Sequence, residues 1–418
     1  VETLNSLLDG VTPAPAGSGQ AYKTPVSVEV PRPVFVIRYE QKDITNDLTP
    51  YVRAVTYTDY LSGQSDTLEV ELEDVDGRWI DTWYPGKGDT LSADIGYDNA
   101  PLLPCGSFEI DEIEFSFPPS VVLIKALSTG VKKSVRTHQG RAYEYTTLAA
   151  IAQRLAKRNK LTLIGKIREI RIDRVTQYME TDVAFLTRLA RDFGYAFKIA
   201  GSKLVFSELA ELRNTDAAVV LMLQDLTQLN LRDKIKDVVQ EVKQKYHNPK
   251  TKKLEVYGVK DGQVQVVGQP DAKGKDSKES GQQVSADTRK MSARAGSKAT
   301  AQVKAQAALD ASNLQQTAGS MTAPGNTKLV AGNTVDLQRC GKLGGKYLIE
   351  SARHRMERSS GYTTELEIKR VALPVKLGGT GPGTASSKKS GKKLDVYGVQ
   401  VDGTVGVVGS SQAPSKKK

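Results

Sequence analysis

The 418-residue chain is 39% hydrophobic and 26% charged, enough apolar material for two to four domains, because one core seldom grows past about 250–300 residues. Its two cysteines, Cys105 and Cys340, lie far apart without CxxC spacing, which excludes a disulfide framework, speaks against zinc and predicts two buried, inert thiols. The net charge of +11 suits an anionic partner without choosing among nucleic acid, lipid and acidic protein, and no run of about 18 apolar residues marks a membrane helix.

Residues 1–30 open with VETLNSLLDG, which lacks the basic-then-apolar layout of a secretory leader, so general export is not expected. Rich in Pro, Gly, Ala and Ser, they read as an extended arm. Residues 31–135 form a first β domain of six or so short strands between turn residues. In TLEVELE, Leu68, Val70 and Leu72 alternate with Thr67, Glu69, Glu71 and Glu73, a period of two that gives the strand one apolar face. Strands at this spacing suggest a barrel or a sandwich.

The period changes over residues 136–212, a small α/β module. TTLAAIAQRLAKRNK places Leu148, Ile151, Ala152 and Leu155 on one side of a helix. A strand, TLIG, follows. METDVAFLTRLARDFG is a second helix with Val183, Leu186, Leu189 and Ala190 inward and Phe185 beside them, Thr181 as N-cap and Gly194 as stop. YAFKIAGSKLVFSE predicts a hairpin turning at Gly201-Ser202.

Residues 213–372 return to strands, with one helix over KATAQVKAQAALDASNLQQ, and form a second β domain. An insertion at about 250–297 interrupts it. The insertion carries KKLEVYGVKDGQVQVVG at 252–268, repeated as KKLDVYGVQVDGTVGVVG at 392–409. Each copy sets two β-rich runs around Asp-Gly, a hairpin signal. Residues 373–418 are a Gly/Ser/Lys-rich linker and the second hairpin. From Val371 to Lys418 there are eight Lys and two Asp, a basic tail that is weak evidence for DNA binding by itself.

Catalytic signatures are missing. His138, His247 and His354 stand in separate segments, outside any HExxH, and read as surface or interface residues. Neither GxSxG nor GxxxxGK[ST] occurs. The acidic residues Glu69, Glu71, Glu73, Asp74 and Asp76, and Glu109, Asp111, Glu112 and Glu114, alternate with apolar ones. That pattern describes a solvated strand face better than a glycosidase pair. No cofactor and no metal are expected.

Three stretches resemble the phage late control D family, baseplate hub proteins of contractile tails related to the base of the type VI secretion spike. SDTLEVELEDVDGRWIDTWYPGKGDTLSADIGY supplies Leu68, Val70, Leu72, Asp74, Trp79, Pro85, Gly88, Asp89, Ile95 and Gly96. QYMETDVAFLTRLARDFGYAFKIAGSKLVF supplies Gln177, Glu180, Thr181, Asp182, Phe185, Leu186, Leu189, Ala190, Gly194 and Tyr195, with Thr181 where family members often carry Ser. GKYLIESARHRMERSSGYTTELEIKR supplies Tyr347, His354, Gly361, Tyr362, Thr363, Thr364 and Arg370. The resemblance spans about 30–372 apart from the insertion.

It implies a mainly β chain with α+β content: two tail-tube-like β-barrel domains flanking the small α/β module, plus β-hairpin insertions. Trp79, Gly96, Glu180, Asp182, Phe185, Leu189, Gly194, Tyr347, His354, Tyr362 and Thr364 are the expected structural motif residues. The implied role is a homotrimer whose six barrels form a pseudo-six-fold ring joining the tail tube to the central spike, with the barrel edges as joints. Implied partners are the tail tube or tube-initiator protein, the spike, neighbouring baseplate proteins and the tape measure protein, with DNA only in transit. The implied location is the virion baseplate, assembled in the host bacterial cytoplasm. Two other readings stand beside it. One is a tail-associated peptidoglycan hydrolase or cell-wall-binding protein, since TTLAAIAQRLAKRNKLTLIG loosely resembles LysM modules. The other is a DNA-binding protein acting through the basic tail.

Overall fold

A computed structural model describes residues 30–128, 137–234, 238–239, 241–248, 252–260, 287–291, 295–372, 397–399 and 405–407. The expected arm, most of the insertion and most of the tail lie outside these residues. The chain divides into two units, 1–374 and 375–418.

The first unit opens with β1 (Pro33–Tyr39), β2 (Lys42–Asp43), the short helix α1 (Thr45–Leu48), β3 (Val52–Tyr60), β4 (Thr67–Glu73), β5 (Thr90–Tyr97), β6 (Leu103–Ser116) and β7 (Val121–Ser128). In β4 the alternation is realised residue by residue, with Leu68, Val70 and Leu72 buried and the residues between them half-buried. These strands wrap a core of Ile37, Val55, Leu68, Val70, Phe108 and Ile124, among others.

Next come β8 (His138–Thr147), α2 (Leu148–Arg158), β9 (Thr162–Ile164), β10 (Arg171–Thr181), α3 (Asp182–Phe193), β11 (Tyr195–Ala200), β12 (Lys203–Glu208) and α4 (Leu209–Asn214). The Thr181 hydroxyl accepts from the Ala184 N–H, and Gly194 ends α3 at φ 78°, a conformation cheap only for glycine. The hairpin of β11 and β12 turns at Gly201-Ser202, and β9 adds parallel to β12. Leu148, Ile151 and Leu155 of α2 meet Phe185, Leu186 and Leu189 of α3 in one core, which makes α2 a packing helix. Phe185 is fully buried beside Leu186, Leu189 and Ala190, whereas Val183, expected inward, is only half-buried. The antiparallel ribbon of β8 and β10 has no counterpart in the sequence reading.

The remaining elements of this unit are β13 (Val219–Met222), β14 (Gln228–Asp233), β15 (Glu241–Asn248), β16 (Lys253–Lys260), β17 (Thr288–Lys290), α5 (Lys298–Asn313), β18 (Thr317–Pro324), β19 (Thr334–Gln338), β20 (Gly345–Glu357) and β21 (Gly361–Ala372). A second core, including Met321, Val335, Tyr347, Ile349, Leu366 and Ile368, lies under β13, β14 and β18–β21. Strand β16 pairs antiparallel with β15, so the described part of the first repeat copy is bonded to the strand before it. Its Asp261-Gly262 turn lies outside the described residues. Helix α5 packs Ala305 and Leu309 against Val242 and Val259 of this small sheet, and its Val303 enters the α/β core.

The two β regions share one 13-stranded sheet, whose main path runs β14-β18-β21-β20-β3-β4-β7-β6-β5-β1-β2. Among the described residues the path does not close, so two closed barrels are not found; two cores sit on one open sheet. The cause is the length of β20. Its first residues pair with β19, Gly345 with Leu337 through Leu348 with Thr334. Its last residues pair with β3, Ser351 with Tyr60 through Glu357 with Ala54. One edge of a 13-residue strand thus carries two partners end to end and merges the regions.

The second unit contains β22 (Tyr397–Val399) and β23 (Val405–Val407), which pair antiparallel; the expected Asp402-Gly403 turn lies outside the described residues.

Candidate functional site

The expected motif residues fall into separate clusters. The first is the start of α3. The Asp182 carboxylate, 1% exposed, accepts from Gln177 Nε2 at 2.8 Å, Asn159 Nδ2 at 2.9 Å and the Arg158 guanidinium. A carboxylate at a helix N-terminus also faces the positive end of the helix dipole. Glu180, at the end of β10, binds Arg188 of α3 at 2.5 Å. Phe185 and Leu189 lie in the core below, and Gly194 brings the chain close to Ala307 of α5.

The second cluster joins the two β cores. His354 was expected at a surface or an interface; it is wholly buried because β20 is flanked by β3 and β21 where the two cores meet. Its Nδ1 shares a hydrogen bond with the Tyr362 hydroxyl at 2.8 Å and lies 3.3 Å from Thr364 Oγ1. Its ring stacks on Tyr57, centroids 6.0 Å apart. Burial lowers its pKa to about 4, so the imidazole is neutral at pH 7. Tyr97, next to Gly96, packs on Tyr362 at 5.4 Å. Tyr347 belongs to the second core, its hydroxyl donating to the Leu343 carbonyl.

A junction that the sequence did not reveal holds the α/β module to both β regions. Lys198 of β11 places Nζ 2.6 Å from Asp59 Oδ1 and 3.1 Å from Asp66 Oδ2. Asp59 Oδ2 accepts from the Ala331 N–H, and Asp66 Oδ1 from the Tyr60 N–H. Ser62 exchanges hydrogen bonds with the backbone of Phe197. Burial raises the Asp66 pKa to about 6, against the pull of Lys198. The Lys198 pKa is also raised, the attraction of Asp59 and Asp66 outweighing the opposing effect of its burial.

The opposite end of the first β region is apolar and open. Trp79, held by its N–H to Asp74 Oδ1 at 3.0 Å, packs edge-on against Tyr51 and Trp83. Together with Ile37, Leu48, Leu91 and Ile110 these tryptophans line a pocket of about 350 Å³. The buried Trp79 Nε1 has no hydrogen-bond partner among the described residues. Beside the pocket, Val75, Ile80, Trp83, Tyr84, Phe115 and Phe117 are exposed. Their proximity follows from the Asp74 N–H bond to Ser120, which brings the β6–β7 turn next to the loop after β4. Contiguous exposed apolar side chains mark interaction surfaces. Of these residues only Trp79 was singled out in the sequence.

Among the described residues no group of three or more His, Cys, Asp or Glu is placed to hold a metal, and no helix is long and apolar enough to cross a membrane. Cys105 is buried and Cys340 is half-buried against the second core, and burial raises the pKa of both thiols.

Residues 135–360 match the family described as phage tail baseplate hub (GPD). The probable baseplate hub proteins of Escherichia phages 186 and P2 are each 31% identical over 176 residues, 42% of this chain and 44% and 45% of theirs. The match therefore spans less than half the length of these relatives. The 43 kDa tail protein of prophage MuSo2 from Shewanella oneidensis superposes with a TM-score of 0.60 at 15% identity, covering 81% of this chain and 98% of that one, a likeness of fold.

Proposed function

Because this chain belongs to the phage tail baseplate hub family, a structural family rather than one of enzymes, we propose that it works as a trimeric adaptor ring between the tail tube and the central spike. Each subunit contributes two tube-like β regions, so three subunits present six. The observation that carries this reading is the single sheet that holds two cores side by side through β20. Two similar units in one subunit are what a three-fold ring needs to meet a six-fold tube. Open edges at β14 and on the far side of the sheet leave the joints available.

The domain limits proposed for this role are the first tube-like region at 31–135, the module at 136–212 and the second region at 213–372. The exposed aromatic end of the first region, around Trp83 and Phe117, is the face offered to a neighbouring component of the baseplate. DNA passes through the bore without being held, and assembly takes place in the host cytoplasm.

Light scattering on the full chain, alone and with the spike protein of the same phage, tests the ring. A mass near three times 45.4 kDa per ring is expected in at least the spike-bound sample. A single copy of the chain in both samples would overturn the proposal.

A further inference from the structure

We propose that the aromatic pocket of the first β region is the seat of this chain's own N-terminal arm, with residues 12–15, Thr-Pro-Ala-Pro, laid against Trp79 and Trp83. The inference does not depend on the ring reading, since it concerns a single chain.

The pocket has rigid aromatic walls. Its volume is about 350 Å³, and Tyr39, Trp79, Trp83 and Tyr84 line it. The two indoles meet at 80° with centroids 5.2 Å apart, so they form a corner rather than a stack. Trp83 is 43% exposed, yet it is braced. The Arg78 guanidinium lies 4.9 Å from the centre of its ring and 4.8 Å from that of Tyr51. A side chain already held in place loses little freedom when a ligand covers it. Trp79 is only 6% exposed, and its Nε1–H has no partner among the described residues. A buried donor without an acceptor is costly, and a carbonyl brought by an occupant satisfies it.

These features select a proline-containing segment. The pyrrolidine ring is a compact apolar body that fills an aromatic corner. A polyproline II backbone makes no internal hydrogen bonds, so its carbonyls are free to accept from an indole N–H. Its geometry is set before binding, which keeps the entropy cost of docking low.

Reach and charge choose among the segments of the arm. The chain enters β1 at Pro33, opposite Tyr97. Ile37 and Tyr39, at the pocket, lie about 13–20 Å further along the strand. Pro15 stands fifteen residues before Val30, a length that spans up to about 50 Å and is ample for the return. Pro25 stands five residues before it and spans about 17 Å, less than the length of β1. Leu4, Leu7 and Leu8 are within reach but lie between Glu2 and Asp9, and the one charged residue in the lining is Asp47. Residues 10–28 hold no carboxylate and one lysine, Lys23. The proline segment therefore meets Asp47 without like-charge repulsion. Val75, Phe115 and Phe117 do not line the pocket and stay exposed beside it.

Trp79 and Trp83 are the only tryptophans, so the emission of the full chain reports this pocket alone. Pro13→Asp with Pro15→Asp is expected to red-shift the emission and to increase its quenching by acrylamide. Deleting residues 1–20 is expected to do the same. A peptide of residues 10–23, which brings no tryptophan, should reverse both changes in the deletion variant at about 1 mM, the effective concentration of a segment on a short flexible tether. In Ala14→Cys with Asp47→Cys, oxidation should close a disulfide within one chain, the single variants controlling for Cys105 and Cys340. Emission and quenching that are the same in wild type, the double Asp variant and the deletion variant overturn the proposal. So does a deletion effect that neither the Asp variant reproduces nor the peptide reverses, which assigns the pocket to the leucines at 4–8. A disulfide that joins two chains makes the occupant a second copy's arm and overturns the seat within one chain.

Discussion

Lys198 Nζ lies 2.6 Å from Asp59 Oδ1, a contact between residues 139 positions apart that fastens the α/β module to the first β region. Asp66 completes the group from the turn before β4. All three side chains are largely shielded from water. A buried cation between two carboxylates matters most when it is removed, because the two anions then face each other uncompensated.

Lys198→Met is therefore expected to destabilise the chain by about 3–5 kcal/mol at pH 7, read from urea unfolding. Combining it with Asp66→Asn relieves part of that loss. If Lys198→Met unfolds at the wild-type midpoint, the group contributes nothing to holding the module.

Two buried groups make opposite contributions over the same acidic range. Asp66 has its folded pKa raised from 3.8 to about 6, so the folded chain binds the extra proton and this contribution falls as pH rises through that window. His354 has its pKa lowered from 6.5 to about 4, so the unfolded chain binds the extra proton and this contribution is lost as pH falls from 6.5 toward 4. Unfolding curves from pH 7 to 4 should show Asp66→Asn losing stability more steeply on acidification than wild type. His354→Phe should show the opposite change in slope. Parallel slopes for all three proteins would refute both assignments.

Asp182 anchors three donors at the start of α3. Replacing it with Ala leaves the buried amides of Gln177 and Asn159 without this acceptor, with Arg158 unpaired from it, and should cost about 3 kcal/mol. Asp182→Asn should cost less, since one acceptor oxygen remains. Thermal unfolding of the two variants checks the order, and Ala equal to Asn would contradict it.

Gly325 faces the Tyr362 ring so closely that a Cβ would lie 2.1 Å from it, and its N–H donates to the Tyr362 carbonyl at 2.9 Å. Gly325→Ala forces the ring off His354 and should destabilise by about 1–3 kcal/mol. A Tyr362→Leu background should tolerate the same change better. Equal costs in both backgrounds would place the strain elsewhere.

What the sequence made legible was local. The N-cap of α3, the stop at Gly194, the alternation in β4 and the turn at Gly201-Ser202 all depend on residues within a few positions of one another. What it hid depends on distance along the chain. Nothing in GKYLIESARHRM says that β20 will carry β19 and β3 on one edge, so two barrels were expected where one open sheet stands. His354 looked like a surface or interface residue because burial by Tyr57 and Tyr362 comes from two other strands. Lys198 alternates with apolar residues exactly as a solvated lysine would. The apolar mouth was missed because Val75, Ile80, Phe115 and Phe117 are scattered among charged neighbours and gather only when the turn after β6 meets the loop after β4.

The sharing of β20 has a mechanical consequence. Seven register pairs tie it to β3, from Ser351 to Glu357, and β21 backs it along nearly its whole length. A load drawn along the strands stretches these hydrogen bonds together, in shear, whereas a hairpin peeled from its end breaks them one at a time. Neither half can slide without dragging the backbone of the other. Force entering one half is therefore delivered to its neighbour through a continuous covalent strand, with no hinge between them to absorb it.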